Sequence, residues 1–133
     1  MRLHLAIAVL FGVLLVMSNS DASPLDQFRW KNRVLVVVAP VGDASAKQQR
    51  QIYQSSAGGM SERQVVLTEA RDDSDRSRQI RAHLASDGTR FRVFLIGKDG
   101  NTAISSETPL SADYLFKRID AMPMRQNEIR RPR

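Results

Sequence analysis

Arg33–Pro40 reads RVLVVVAP, and its five consecutive apolar residues, Val34 to Val38, include four valines. The run is much shorter than the ~20 residues a membrane-spanning helix needs. It is also too continuous for a strand with one wet face, on which apolar and polar residues would alternate. It reads as a strand covered on both faces, which is how central strands of parallel sheets are buried. The remaining segments can be placed as layers around it.

Downstream, Pro40-Val41-Gly42 breaks the extended run, and Asp43 stands where a helix N-cap would, ahead of Ala44-Ser45-Ala46. The helix is expected to reach about Ser56 with Ile52 and Tyr53 on its apolar side, and Gly58-Gly59 is expected to end it. Gln64–Leu67 (QVVL) reads as a short strand whose charged neighbours, Arg63 and Glu69, suit a sheet edge. Asp72, Asp73 or Ser74 can cap a second helix carrying Ile80 and Leu84, closed by Asp87-Gly88. Phe91–Ile96 (FRVFLI) is the second strongly apolar strand. Asp99-Gly100 after it is a tight hairpin signal, and Asn101–Ser106 is a polar return strand. Ser111 caps a last helix with Asp113 in its first turn and Leu115, Phe116 and Ile119 facing inward.

Upstream, Ser23–Lys31 is a lead-in in which Leu25, Phe28 and Trp30 are apolar. In an extended chain Phe28 and Trp30 share a face and cap one end of the core; the alternative role for Trp30 is a ligand-stacking platform.

The expected order is therefore β-α-β-α-β-β-α. Placing the two apolar strands centrally yields a four-stranded mixed sheet of order 2-1-3-4, with a right-handed crossover between strands one and two. That is an α/β fold of thioredoxin-like architecture. A flavodoxin-like parallel sheet is the alternative, but parallel neighbours cannot be joined by a two-residue turn.

The chain has 133 residues, a length for one domain. Met1–Ala22 reads as a secretory signal peptide: a basic start at Arg2, an apolar stretch Leu5–Met17, and Ser20 and Ala22 at the −3 and −1 positions of the cleavage site. The same stretch retained as a membrane anchor is the alternative. The expected address is secreted or periplasmic. Removing residues 1–22 leaves 111 residues; loss of Arg2 and Asp21 takes Lys+Arg from 20 to 19 and Asp+Glu from 14 to 13, so the net charge stays +6. There is no cysteine, which excludes a lipid-anchored lipobox and disulfides. The domain is expected over residues 23–123, followed by a basic tail over 124–133.

The lead-in LDQFRWKNRVLVVVAP, the segment FRVFLIGKDGN and the ending LFKRIDAMPMRQNEIRR together resemble the bacterial family called domain of unknown function 4174. That family is similar to the P-DUDES domain of vertebrate extracellular matrix proteins such as equarin and the sushi-repeat-containing proteins. The resemblance implies an extracytoplasmic thioredoxin-like domain distantly akin to peroxiredoxins, and supplies no activity.

Thioredoxin-like enzymes place a redox cysteine at the N-terminus of the helix after the first strand, where the helix end stabilises a thiolate. Here that position is Pro40, Val41, Gly42 and Asp43, without cysteine, so thiol–disulfide exchange is excluded. The proline such enzymes carry before the third strand is also missing from Ser86–Arg90. Beyond the leader the only histidine is His83, too little for a triad or a zinc site. Asp72, Asp73 and Asp75 lack the glycine and distal glutamate of a calcium loop and read as a solvated helix start. No catalytic residue, metal or cofactor is expected.

What remains is charge. Lys117, Arg118, Arg125, Arg130, Arg131 and Arg133 face only Asp120 and Glu128 in the same stretch, and form a candidate anion-binding group. The alternative is a frayed, solubilising end. The expected function is a non-catalytic module binding an anionic envelope or matrix component or another exported protein. The rival is a thiol-independent enzyme with its site at the first helix N-terminus. Nucleic acid is disfavoured by the export signal. The leader pattern predicts a mature protein beginning at or near Ser23; an intact mass from the native host that retains Met1–Ala22 would refute cleavage.

Overall fold

The central strand, β1 (Arg33–Val38), is buried at all six positions. The structure, a computed structural model, describes residues 23–131; the expected leader, Arg133 and the residue before it lie outside the described residues. β1 pairs in parallel with β2 (Val65–Ala70) on one side and antiparallel with β3 (Arg92–Ile96) on the other, and β3 pairs antiparallel with β4 (Thr102–Ser106). The sheet order is β2-β1-β3-β4, which is the order expected from the apolar content of the strands.

Because side chains alternate across a strand, β1 feeds two cores. Leu35, Val37 and Ala39 join Met60, Val93, Leu95, Leu115 and Ile119 on one face. Val34, Val36 and Val38 join Leu25, Ile80, Phe94 and Ile96 on the other. The first face is covered by α1 (Ala44–Ser55), α2 (Ala57–Glu62) and α4 (Ala112–Asp120), the second by α3 (Asp75–His83). Asp43, Ser74 and Ser111 accept from the backbone N–H groups of Ala46, Ser77 and Tyr114, so each of these three longer helices begins on a side-chain cap. Gln49, fully buried, exchanges two hydrogen bonds with the backbone of Leu110 at 2.7 and 3.0 Å and so fixes the approach to α4. None of the described helices is long and apolar enough to cross a membrane.

Four expectations are corrected. Gly58-Gly59 does not end a helix; both lie inside α2. Gly59 is required by packing, because a Cβ there would sit 2.6 Å from the ring of Phe116. The second strand runs beyond Leu67 to Ala70, because Glu69 is held by Arg50 at 2.8–3.1 Å and a charge can therefore enter the ladder.

Trp30 is not a cap. The lead-in forms a 3-10 turn at Asp26–Phe28, which buries Leu25 and half-buries Phe28 but leaves Trp30 63% exposed with φ of +66°. Finally, the expected tail over 124–133 is not separate from the domain in its described part, residues 124–131. Met122 is the N-cap of α5 (Pro123–Arg130), and Pro123, at the expected domain boundary, opens that helix.

Val36 lies in the middle of β1 with no exposed surface. Val36→Asp places a carboxylate there without a partner, at a cost of several kcal/mol against the ~5–15 kcal/mol that stabilises a domain. Loss of the cooperative thermal transition is expected; a soluble variant with a cooperative melt would refute the two-faced burial of β1.

Candidate functional site

Two places compete for function, one at each end of β1. At its C-terminal end the chain turns through Pro40, Val41 and Gly42 (φ +79°) into α1. Pro40 and Val41 are exposed, and the residue at the helix start is Asp43. Its Oδ1 accepts from the Ala46 N–H at 2.8 Å. The N-terminus of α1, which would otherwise attract an anion or stabilise a thiolate, is thus already answered by an internal carboxylate. Nearby Arg50 and Arg71 both reach Glu69, at 2.8 and 3.6 Å. This end of the fold holds a helix cap and an ion-pair cluster.

At the N-terminal end of β1 the chemistry is different. Arg33 is 1% exposed, on the face of the sheet that α4 covers. Its guanidinium donates to the Arg63 carbonyl at 2.8 Å and to both Glu128 oxygens at 3.2 and 3.3 Å. Lys98, 8% exposed, follows β3 and donates to Gln64 Oε1 and Glu128 Oε1. Arg125, 6% exposed, donates to Asp120 at 3.0 Å and to Glu62 Oε1 at 3.1 Å. Arg63 grips the same Asp120 at 2.9 and 3.0 Å and lies over the Phe116 ring at 4.0 Å from its centre. Four cations, Arg33, Arg63, Lys98 and Arg125, therefore meet three carboxylates, Glu62, Asp120 and Glu128. Beside this network opens a cavity of about 510 Å³ whose walls include Ser61, Gln64, Lys98, Arg125, Glu128 and Arg131.

The proposed anion-binding residues are distributed unequally. Arg125 is a buried structural cation and Arg131 lines the cavity beside it. Lys117, Arg118 and Arg130 are exposed and do not line that cavity. Arg33, Lys98 and Arg63 were not singled out as site residues. Arg33 opens the apolar run, and a charge at the mouth of a buried strand was the available sign.

Two of these carboxylates, Glu128 and Asp120, are held ionised. Burial opposes the charge on Glu128, but hydrogen bonds from Lys98 and Arg33 outweigh it and hold its carboxyl below the usual range. Asp120 is lowered by the Arg63 hydrogen bond and, against some burial, by Arg125. Elsewhere Asp72 falls to about 2 because the Ser74 and Ser77 side chains and the Ser74 N–H donate to it, so this aspartate belongs to the start of α3.

The sheet order, the helix on each side of β1 and the capped turn at its C-terminal end define a thioredoxin-like domain without the sulfur chemistry. The chain matches the profile of the domain of unknown function DUF4174 over residues 24–128 and belongs to that family. Among solved structures it is similar to reduced Plasmodium vivax 2-Cys peroxiredoxin, with a TM-score of 0.53 and 17% identity over 80% of this chain and 72% of that one. At that identity the likeness is one of fold. No curated protein matches the chain. The family match runs to residue 128, and so includes most of α5 and the Glu128 that joins Arg33 to Lys98.

Glu128→Gln leaves Arg33 and Lys98 facing a neutral amide, and a loss of about 3 kcal/mol is expected, as when one partner of a buried pair is removed. A group with a depressed folded pKa stabilises above its unfolded value and loses that contribution as pH falls through the folded one. The wild-type thermal midpoint should therefore decline as pH falls through the ordinary carboxylate range toward the lower folded value of Glu128, and Glu128→Gln should flatten that decline. Superimposable pH profiles would show that Glu128 does not couple to stability.

Proposed function

We propose that this protein is an exported, non-catalytic thioredoxin-like module that binds an anionic polymer or an acidic partner of the envelope or extracellular space. The observation that carries the reading is the Asp43 cap. The position where a thioredoxin-like enzyme keeps its sulfur holds a carboxylate already bonded to its own helix. The rival reading, a thiol-independent enzyme at the same helix end, needs free N–H donors; the Asp43 bond to Ala46 occupies one of them, and Pro40–Asp43 offers no thiol, hydroxyl or amine.

The leader pattern of Met1–Ala22 supports export, as does the resemblance to a domain of extracellular matrix proteins. The net charge of +6 and the exposed Lys117, Arg118, Arg130 and Arg131 support an anionic partner. Arg125 drops out of the binding group because its guanidinium is engaged inside the domain.

The test replaces Lys117, Arg118, Arg130 and Arg131 together by Gln and compares retention on heparin-like and anionic-lipid surfaces across a salt series. Several-fold weaker retention at low salt is expected, converging with wild type at high ionic strength as screening removes the difference. The thermal midpoint should be unchanged, whereas Arg125→Gln alone should lower it. Equal retention of wild type and quadruple variant would overturn the binding reading.

A further inference from the structure

Arg92 opens β3 opposite Val38, the last residue of β1, and so lies at the other end of the sheet from the Arg33 network. It shares a face with Phe94, two residues on, and its guanidinium stands 5.4 Å from the centre of that ring. Arg92 is half-buried, and its Nε is buried without an acceptor. The other buried or half-buried cations among the described residues are Arg33, Arg50, Arg63, Arg81, Lys98 and Arg125, and each donates to a protein oxygen. Arg92 alone of this set finds no acceptor among the described residues. A desolvated donor left unanswered costs free energy. The contact with Phe94 offsets part of that and leaves the hydrogen-bonding fork open.

The same arginine lines a cavity of about 540 Å³, together with Ser86, Asp87, Thr89, Arg90 and Glu107. The loop on one side of it is fixed by its own bonds. The Ser86 N–H donates to the Arg81 carbonyl at 3.0 Å, and Thr89 donates twice to Asp87 Oδ1, at 2.8 and 3.0 Å. Asp87 is thus committed to its own turn. Glu107 is not: it is exposed and pairs with no cation among the described residues. Because Val93 pairs with Ser106, Arg92 and Glu107 are the next positions of the β3–β4 ladder, one on each strand. The cavity therefore brings an open guanidinium and an open carboxylate side by side.

We infer that this cavity is a binding site for an α-amino acid in its zwitterionic form, with the carboxylate on Arg92 and the ammonium on Glu107. The planar fork of an arginine matches the two oxygens of a carboxylate. Arg90 and Arg92 balance Asp87 and Glu107, so the wall carries no net charge. That balance suits a ligand neutral overall and opposes a polyanion. Lys117, Arg118, Arg130 and Arg131 do not line this cavity, so the inference stands apart from the polyanion reading above.

Arginine Nε–H groups are visible in nitrogen-correlated NMR spectra, and the Arg92 signal is assigned by its loss in Arg92→Lys. The full chain is titrated with a panel of the common L-amino acids. The tightest binder is then compared with its des-amino analogue, its decarboxylated analogue and inorganic phosphate. A saturable shift of the Arg92 Nε–H is expected with at least one amino acid, and about tenfold weaker binding once either charged end of the ligand is removed. Arg92→Lys keeps the charge but loses the fork, and about tenfold weaker binding is expected there too. Glu107→Gln should weaken the amino acid while leaving the affinity for the des-amino analogue unchanged. Its thermal midpoint should match wild type, so this variant decides the matter even where Arg92→Lys is unstable.

No saturable shift with any amino acid would overturn the site. Equal binding of inorganic phosphate or of the des-amino analogue would overturn the zwitterion assignment, as would a Glu107→Gln variant of unchanged amino-acid affinity.

Discussion

A guanidinium with 1% exposure stands at the start of the central strand, and much of the molecule's lower end follows from the need to answer it. An arginine guanidinium keeps its charge inside a protein, so it has to be paired. Transfer of an unpaired ion into the interior costs far more than a domain's whole stability. The bidentate contact with Glu128 at 3.2 and 3.3 Å supplies the counter-charge from the far end of the chain. α5 is therefore part of the domain: it brings Glu128 to Arg33 and Lys98, and Arg125 to Asp120 and Glu62. Buried ion pairs are weak evidence for extra stability, but they specify geometry strictly, because a misplaced α5 leaves several charges unanswered at once.

The two ends of β1 differ in how their charges are answered. At the C-terminal end, Asp43 closes the helix start with its own carboxylate, and Arg50 and Arg71 converge on Glu69. Those groups satisfy one another. At the N-terminal end the cations exceed the carboxylates by one, and Arg131 reaches the cavity from an exposed position. The likeness of fold to a peroxiredoxin therefore says little about where this chain acts.

Residue pattern by itself determined the sheet. The unbroken apolar run of β1 could be dry only with layers on both sides, and the tight Asp99-Gly100 turn forced β3 and β4 to be antiparallel neighbours. It also determined the helix starts at Asp43, Ser74 and Ser111, because capping is a local bond between a side chain and an N–H three residues on. The absence of cysteine excluded the redox chemistry without reference to any coordinates. What only the tertiary structure decided depends on residues far apart in the chain. Gly59 is a packing glycine because Phe116 lies against it, Arg125 is structural because Glu62 waits 63 residues earlier, and Trp30 is exposed because the Lys98 carbonyl holds its backbone in a left-handed turn. A local reading assigns a glycine pair to a helix end, an arginine near the terminus to solvent and a tryptophan to the core. Each assignment failed for one physical reason: the partner that reverses it is brought near only when the sheet has closed.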